Sequence, residues 1–110
     1  MTDTLSFIAR RSFIFSPGLK PDMFPKALAC GADIVCVELE DGIAPKDKSD
    51  ARNYTIKMFE APQAIDNVER IVRINSLRDP YGLADVSAIL ATDSPPPSLM
   101  LPKVKTADEV

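Results

Sequence analysis

The sequence predicts an α/β fold in which short parallel strands alternate with helices. Two segments, at residues 34–42 and 72–75, begin as apolar, β-branched runs and end in charged or polar residues. A parallel strand is buried on both faces, so charge at one end of such a run marks the rim of a sheet. Proline and glycine breaks separate these runs from segments with helical spacing. The 110 residues are enough for one small core.

The first half of the chain predicts two strands around one helix. Residues 12–15 form the first strand, closed by a turn at 16–18. A helix begins at Pro21, where the missing N–H costs nothing, and ends at Gly31, a common helix-terminating residue. The second strand covers residues 34–39.

The second half repeats this alternation. Gly42 and Pro45 precede a more polar helix at 47–59, and the third strand follows at 70–74. A turn at 79–82 leads into a helix that ends at about residue 91, and three prolines then connect to a fourth strand at 99–101. Thr106 is predicted to cap a further helix, with Glu109 as its capping-box partner.

Strict alternation implies a parallel sheet with right-handed crossovers. Four repeats are half of a (β/α)₈ barrel, which typically has about 250 residues, and a small doubly wound sheet is the alternative. The barrel is favoured because it gathers the carboxyl ends of its strands around one mouth, and polar residues recur at these ends: Ser16, residues 38–41, Arg73, Asn75 and Lys103. We therefore expect an α/β chain forming the N-terminal half of a TIM barrel, with a flexible arm at 1–10 and a truncated barrel domain at 11–110.

Composition narrows the classes of function. Net charge is −3, with acids and bases mixed along the chain, so the basic stripe of a nucleic-acid binder is missing. The apolar runs are too short to cross a bilayer, and the N-terminal charges are in the wrong order for a secretory signal. We therefore expect a cytoplasmic protein without nucleic-acid or membrane partners. The chain has no histidine, which excludes Ser-His and Cys-His pairs within it, and we expect Cys30 and Cys36 to be reduced thiols in or near the core.

Strand parity places four polar side chains on one face of the sheet. Val35, Val37 and Leu39 should face the helices, as should Val72 and Ile74. The opposite parity then directs four residues towards the barrel mouth: Glu38, Glu40, Arg73 and Asn75. An arginine beside carboxylates can clamp a substrate carboxylate through two hydrogen bonds. A structural Arg–Glu pair across neighbouring strands is the alternative, and spacing does not decide between them.

Three other features have weaker readings. The turn at 16–18 opens a helix N-terminus that could hold a phosphate near Arg11 and Lys20, although most Pro-Gly turns are only turns. Lys103 could orient an acid, but solvent is its expected environment, as it is for the charged run at 46–52. Glu38, Glu40 and Asp41 could instead form a Mg²⁺ site in their own right, although a position beside Arg73 already accounts for both glutamates.

Four short motifs occur in order along the predicted strands, at 11–18, 38–42 with Pro45 and Lys48, 73–76, and 101–103. Together they resemble the citrate lyase β-subunit and malyl-CoA lyase group of the HpcH/HpaI aldolase superfamily, over residues 11–110. The resemblance implies a TIM barrel and a Mg²⁺-dependent lyase that cleaves or forms a carbon–carbon bond in citryl, malyl or citramalyl thioesters. It also implies a CoA or acyl-carrier thioester and a small keto acid as partners, and a homo-oligomer at full length.

The resemblance assigns roles to individual residues. Arg73 is the arginine for the substrate carboxylate, with Asn75 beside it, and replacement of Arg73 by Ala should abolish activity with little loss of stability. Glu40 and Asp41 are catalytic rim carboxylates that order metal-bound water or the arginine. The residues expected on the CoA-thioester side of the pocket are Arg11, Pro17, Gly18 and, for its phosphates, Lys20.

In the family, the Glu and Asp that bind the metal come from strands beyond the fourth. We therefore expect the Mg²⁺ ligands beyond Val110, and a 110-residue chain that is inactive alone. The alternative is a non-catalytic half-barrel that binds an acyl thioester or assembles with a separate second half. Such a half-barrel exposes two sheet edges and should self-associate.

Overall fold

The computed structural model describes residues 9–62 and 67–110. In this part of the chain, four strands alternate with three helices. The strands are β1 (Phe13–Pro17), β2 (Ile34–Glu38), β3 (Glu69–Arg73) and β4 (Ser98–Met100). The helices are α1 (Met23–Leu28), α2 (Lys48–Glu60) and α3 (Pro80–Ala91), with short 3₁₀ segments at Pro45–Asp47 and Ala107–Glu109.

The strands form one parallel sheet in the order β1-β2-β3-β4. Each strand therefore pairs with the one before it, without the reversal of direction that defines a doubly wound sheet. The helices all contribute to a core on one face, as in one side of a (β/α)₈ barrel. The predicted α/β fold, with four parallel strands and helices between them, is confirmed.

The core lies between the sheet and the helices. Strand residues with the predicted parity, among them Val35, Val37 and Val72, are fully buried there. Their partners from the helices are Phe24 and Leu28 of α1, Ala51, Met58 and Phe59 of α2, and Ile89 of α3. Packing on helices thus buries one face of the hydrophobic runs, whereas the sequence argument expected burial on both faces.

The other face of the sheet is only partly covered. Phe13 and Phe15 on β1 remain 40% and 43% exposed, and their rings make an edge-to-face contact with centroids 5.0 Å apart. Cys36 and Ile71, at the middle of the same face, are buried. This face corresponds to the interior of a barrel, and in this chain it is open along its β1 side.

The predicted turn at residues 79–82 is wrong. Pro80 and Gly82 lie in the first turn of α3, and Asp79 caps this helix by accepting a hydrogen bond from the Tyr81 amide at 3.0 Å. An Asp N-cap followed by proline is a strong helix start, and this signal outweighs the turn tendency of the same residues. Similarly, α1 begins at Met23 rather than at Pro21, which lies in the preceding turn.

Gly82 allows α3 to approach the chain that follows β3. A Cβ atom at this position would lie 2.0 Å from the Ser76 carbonyl oxygen and 2.6 Å from the Asn75 carbonyl oxygen. Both obstacles are backbone atoms, so no side-chain movement could relieve the contact. The glycine thereby brings α3 against the segment that leaves the carboxyl end of β3.

The predicted N-terminal arm falls mostly on residues 1–8, which lie outside the described residues. Arg10, assigned to the same arm, donates hydrogen bonds of 2.7 and 2.9 Å to the Glu69 carboxylate at the start of β3. At the other end of the chain, the predicted capping box between Thr106 and Glu109 is present. No helix in the described ranges is long and apolar enough to span a membrane.

Candidate active site

The carboxyl ends of the four strands lie side by side along one edge of the sheet. Backbone hydrogen bonds continue past the strands: the Gly18 amide donates to Glu38 at 3.0 Å and the Leu39 amide donates to Arg73 at 3.0 Å. The Ile74 amide donates to Met100 at 3.3 Å. The residues that follow each strand are therefore held at the same edge, which we call the carboxyl edge.

Glu38 and Arg73 form an ion pair across the ends of β2 and β3. The two residues are in register. Arg73 Nε donates to Glu38 Oε1 at 2.9 Å, and Arg73 Nη2 donates to Glu38 Oε2. The Glu40 amide donates a further hydrogen bond of 2.8 Å to Glu38 Oε1. Parity thus predicted this pair, and the carboxylate orients the guanidinium in a fixed plane.

The Arg73 guanidinium also lies over an aromatic ring. Its Cζ atom is 4.6 Å from the centroid of the Phe15 ring on β1. The side chain remains 22% exposed, and in the part of the chain that the structure describes Nη1 has no hydrogen-bond partner. A guanidinium held by one carboxylate and one ring, with donors still available, is suited to bind an anion from the open side of the sheet.

Glu40 and Asp41 share the ammonium group of Lys103. Lys103 Nζ donates to Glu40 Oε2, and to Asp41 Oδ1 at 2.9 Å. Glu40 also lies near Arg73, with 3.6 Å between Oε1 and Nε. The expectation that Lys103 reaches only solvent is wrong: although 55% exposed, the side chain joins β4 to the loop after β2. Lys103 adopts a left-handed φ of 51°, which is strained for a residue with a side chain.

The charges at the carboxyl edge reinforce each other. Burial tends to raise the pKa of Glu38, but its hydrogen bonds from Arg73 and from the Glu40 amide outweigh burial and hold the pKa below its ordinary value. Hydrogen bonding to Lys103 lowers the pKa of Asp41, and hydrogen bonding to Glu40 and Asp41 raises the pKa of Lys103. At neutral pH this edge is therefore an alternating array of fixed positive and negative charges.

Asn75 does not point to the barrel mouth with this array. Its side chain accepts a hydrogen bond from Lys48 Nζ at 2.6 Å and donates one to Asp85 Oδ2 at 2.7 Å, on the helix side of the sheet. Asp85 is fully buried and also pairs with Arg52 Nε at 2.8 Å. The parity argument fails here because β3 ends at Arg73, so the alternation no longer applies two residues later.

The charged run at 46–52 is not uniformly solvated, contrary to prediction. Lys48 is only 9% exposed and Ala51 is fully buried, while Arg52 reaches the buried Asp85. Asp85 is not among the predicted site residues, and Lys48 is named only within the resembling motif, without a role. For Lys48 the signal lies in the spacing of Ala51, Thr55, Met58 and Phe59, because this buried stripe of α2 includes Lys48 one turn earlier.

The residues expected on the thioester side of the pocket are separated by the structure. Arg11 precedes β1, and its guanidinium donates hydrogen bonds of 3.2 and 3.3 Å to the carboxylate of Asp33, which precedes β2. This pair therefore lies at the amino edge of the sheet. Five strand residues, about 16 Å of chain, separate it from the carboxyl edge. Pro17 and Gly18 do lie at the carboxyl edge, where Gly18 packs against Leu39, Glu38 and Thr55. Lys20 is exposed just beyond them.

The rim carboxylates do not fit a metal ion. Glu38 is paired with Arg73, and both Glu40 and Asp41 are paired with Lys103, so their oxygens already face cations. Within residues 9–62 and 67–110, no group of three or more acidic or cysteine side chains is placed to hold a metal. The interpretation of these carboxylates as a Mg²⁺ site is therefore not supported.

The two cysteines differ in their surroundings. Cys36 is buried in the middle of β2, and burial raises the pKa of its thiol to about 12. Cys30 lies beyond α1 and is exposed, so the prediction of a core or near-core thiol holds only for Cys36. Both are free thiols, and neither lies at the carboxyl edge.

Sequence comparison gives one family match over nearly the whole chain. The model of the HpcH/HpaI aldolase/citrate lyase family matches residues 11–110. The L-malyl-CoA/beta-methylmalyl-CoA lyase of Rhodobacter capsulatus is 39% identical over 103 residues, which are 91% of this chain and 31% of that protein. Citrate lyase subunit beta of Escherichia coli is 33% identical over 101 residues, covering 92% of this chain and 32% of that one.

Structural comparison agrees. The chain superposes with a TM-score of 0.73 and 32% identity on protein CitE from Mycobacterium tuberculosis in complex with magnesium, acetoacetate and coenzyme A. The match covers 93% of this chain and 36% of that protein. The chain thus spans about a third of the length of the relatives that it matches.

Proposed function

The chain belongs to the HpcH/HpaI aldolase/citrate lyase family, and from this membership we propose that it supplies the substrate-positioning part of a Mg²⁺-dependent carbon–carbon lyase. Its substrate would be a 3-hydroxyacyl-CoA thioester that carries a carboxylate, such as a malyl, citramalyl or citryl thioester. The relatives named above are an L-malyl-CoA/beta-methylmalyl-CoA lyase and a citrate lyase subunit beta, and one related structure contains magnesium, acetoacetate and coenzyme A.

The observation that carries the proposal is how the guanidinium group of Arg73 is held. Glu38 fixes the plane of its guanidinium, Phe15 supports one face, and donors remain available on the open side of the sheet. A structural ion pair alone would not need a partly exposed arginine at the rim. We assign to Arg73 the binding of the substrate carboxylate that becomes part of the released keto acid.

The reaction that we propose divides the substrate between its second and third carbons. The 3-hydroxyl loses its proton and becomes the carbonyl of the keto acid, while the electron pair of the broken bond passes to the thioester fragment as an enolate. Protonation of this enolate gives the acyl thioester. Glu40 lies 3.6 Å from Arg73, and Asp41 accepts a hydrogen bond from Lys103 beside it. These two residues are our candidates for the carboxylates that assist this reaction.

The thioester is proposed to lie towards β1. Pro17 and Gly18 are at the carboxyl edge and Lys20 is exposed next to them, as the phosphate-binding prediction requires. Arg11 is left out of the proposed site because its ion pair with Asp33 holds it at the amino edge. The described carboxylates do not fit Mg²⁺ because they are paired with Arg73 and Lys103. We therefore propose that its ligands lie elsewhere in the whole protein, which we expect to be a homo-oligomer.

A second candidate function is assembly with another chain. Three consecutive residues of the edge strand β1, Phe13, Ile14 and Phe15, are exposed large hydrophobic side chains. Such an edge can pair with a strand from a separate second half or from a second copy. Sedimentation of the 110-residue chain distinguishes the two functions: a stable monomer with a cooperative melt would contradict assembly, and a concentration-dependent dimer would favour it.

The lyase proposal can be tested with a chimera. Residues 11–110 would replace the matching segment of the Rhodobacter capsulatus lyase, and cleavage of malyl-CoA into acetyl-CoA and glyoxylate would be followed by trapping the keto acid. We expect turnover by the chimera and none by the parent lyase with this segment deleted. A folded chimera without turnover would contradict the proposal that these residues complete a lyase site.

A further inference from the structure

Lys48 is a buried cation that the proposed reaction does not use. It begins α2, yet its ammonium group reaches back under the loop that follows β2. Lys48 Nζ donates three hydrogen bonds: to the carbonyl oxygens of Leu39 at 3.1 Å and Glu40 at 2.8 Å, and to Asn75 Oδ1 at 2.6 Å. A lysine ammonium has three N–H donors, so the group is fully satisfied by neutral acceptors.

The two carbonyl contacts have a direct geometric consequence for Glu40. The carbonyl groups of residues 39 and 40 lie on either side of the Glu40 Cα atom, so holding both oxygens fixes the backbone from which the Glu40 side chain leaves. We propose that Lys48 is a positioning residue for Glu40, acting through these backbone carbonyls rather than by contact with substrate. The importance of this role for catalysis rests on the proposed function; the positioning itself does not.

A second layer holds Lys48 in place. Asn75, which accepts from Lys48, donates both its backbone and its side-chain N–H groups to Asp85 Oδ2, at 2.9 and 2.7 Å. Asp85 is fully buried and its other oxygen accepts from Arg52. The close approach at Gly82 brings α3, and therefore Asp85, to this point.

Hydrogen bonds therefore connect Glu40 through Lys48, Asn75 and Asp85 to the helices α2 and α3. The ring of Tyr81, in the first turn of α3, lies 5.7 Å from the Lys48 ammonium and limits access on that side. A lysine whose only role was to stabilise α2 would not need to satisfy the carbonyls on both sides of one rim carboxylate. The arrangement links the position of that carboxylate to the packing of α2 and α3.

The positioning can be tested in the 110-residue chain without any activity measurement. In the labelled wild-type chain, we expect slowly exchanging Lys48 ammonium protons and a scalar coupling across the hydrogen bond from Lys48 ¹⁵Nζ to the Glu40 carbonyl carbon. In Lys48→Met, amide hydrogen exchange should accelerate selectively at residues 40–43 relative to the β2 and β3 interior. The control is Lys46→Met, which removes the same charge from an exposed position two residues earlier.

Each outcome decides the inference. The coupling and the local acceleration support it. An absent coupling overturns it, even if Lys48→Met fails to fold, and so does an acceleration spread evenly over all amides, because that pattern indicates only a loss of global stability.

The consequence for catalysis is tested in the chimera described above. Lys48→Met should lower kcat by about 100-fold with little change in KM, as expected for a misplaced reacting group. In a chimera that already carries Glu40→Gln, the same substitution should have almost no further effect on kcat, whereas Lys46→Met should be silent in both. Equal effects of Lys48→Met with and without Glu40 would overturn the positioning role. A chimera without turnover would contradict the proposed function and leave the NMR result to decide the positioning.

Discussion

Replacing Arg73 by Met should destabilise the fold because it leaves a buried carboxylate without its cation. The Glu38 side chain is 9% exposed and loses two charge-assisted hydrogen bonds, while the backbone amide of Glu40 still donates to it. Removing one partner of a fully buried ion pair costs about 3–5 kcal/mol. Because Arg73 is partly exposed and the amide bond survives, we expect a loss of about 2–3 kcal/mol in the free energy of unfolding. This loss of stability is larger than the small loss that the sequence analysis predicts for replacement of Arg73.

The measurement is urea unfolding followed by circular dichroism, since the chain has no tryptophan. The matched variant is Arg73→Met combined with Glu38→Gln, which removes the stranded charge and should recover more than half of the loss. The folded-state pKa of Glu38 is lowered, so the pair stabilises the fold above the ordinary glutamate pKa of about 4.3, and this contribution is lost as pH falls through the lowered value. The Arg73→Met penalty should therefore shrink in acid. A penalty below about 0.5 kcal/mol at neutral pH, or one that does not change in acid, would refute this reasoning.

Three further predictions concern other parts of the molecule. Lys103→Met should return the lowered pKa of Asp41 towards its ordinary value in a carboxyl ¹³C titration, and an unchanged midpoint would show that the pair is not formed. Gly82→Ala should cost at least about 3 kcal/mol in urea unfolding, because the new methyl group meets backbone oxygen. The control, Gly31→Ala, should cost only about 1–2 kcal/mol, because φ is +94° there but nothing lies within 4 Å; similar losses would contradict the contact argument. Iodoacetamide should label Cys30 once in the native chain and reach Cys36 only after unfolding, and two rapid adducts by mass spectrometry would contradict the burial of Cys36.

The sheet and its polarity could be predicted because burial leaves a strong trace in short strands. Val35, Val37 and Val72 are apolar and face the helices. Glu38 and Arg73 follow with the opposite parity, so the pattern identifies both the helix-facing side and the open side of the sheet. The Glu38–Arg73 pair followed directly from this register. The contact is also a structural ion pair, which the sequence left open as the alternative to substrate binding. The two roles are compatible, because this contact fixes the guanidinium that we propose binds substrate.

The rest of the site could not be predicted, because residues that are close in the sequence are not necessarily close in the fold. Arg11 is close to Gly18 in the chain, but an extended strand places them at opposite edges of the sheet. Lys48 lies in a charged run typical of a solvated helix face, and only its helical spacing from Ala51 and Thr55 reveals the buried stripe. Asn75 follows the end of its strand, where the period of two no longer predicts the direction of a side chain.

The central claim, that the carboxyl edge positions the substrate carboxylate through Arg73, is tested most directly by kinetics of two arginine variants in the chimera. We expect Arg73→Met to lower kcat/KM for malyl-CoA by about 1,000-fold or more, at a temperature where circular dichroism shows a folded protein. Arg11→Met, which removes the same charge at the amino edge, should change kcat/KM by less than about threefold. Retained turnover in Arg73→Met, or an equal loss in Arg11→Met, would contradict the account.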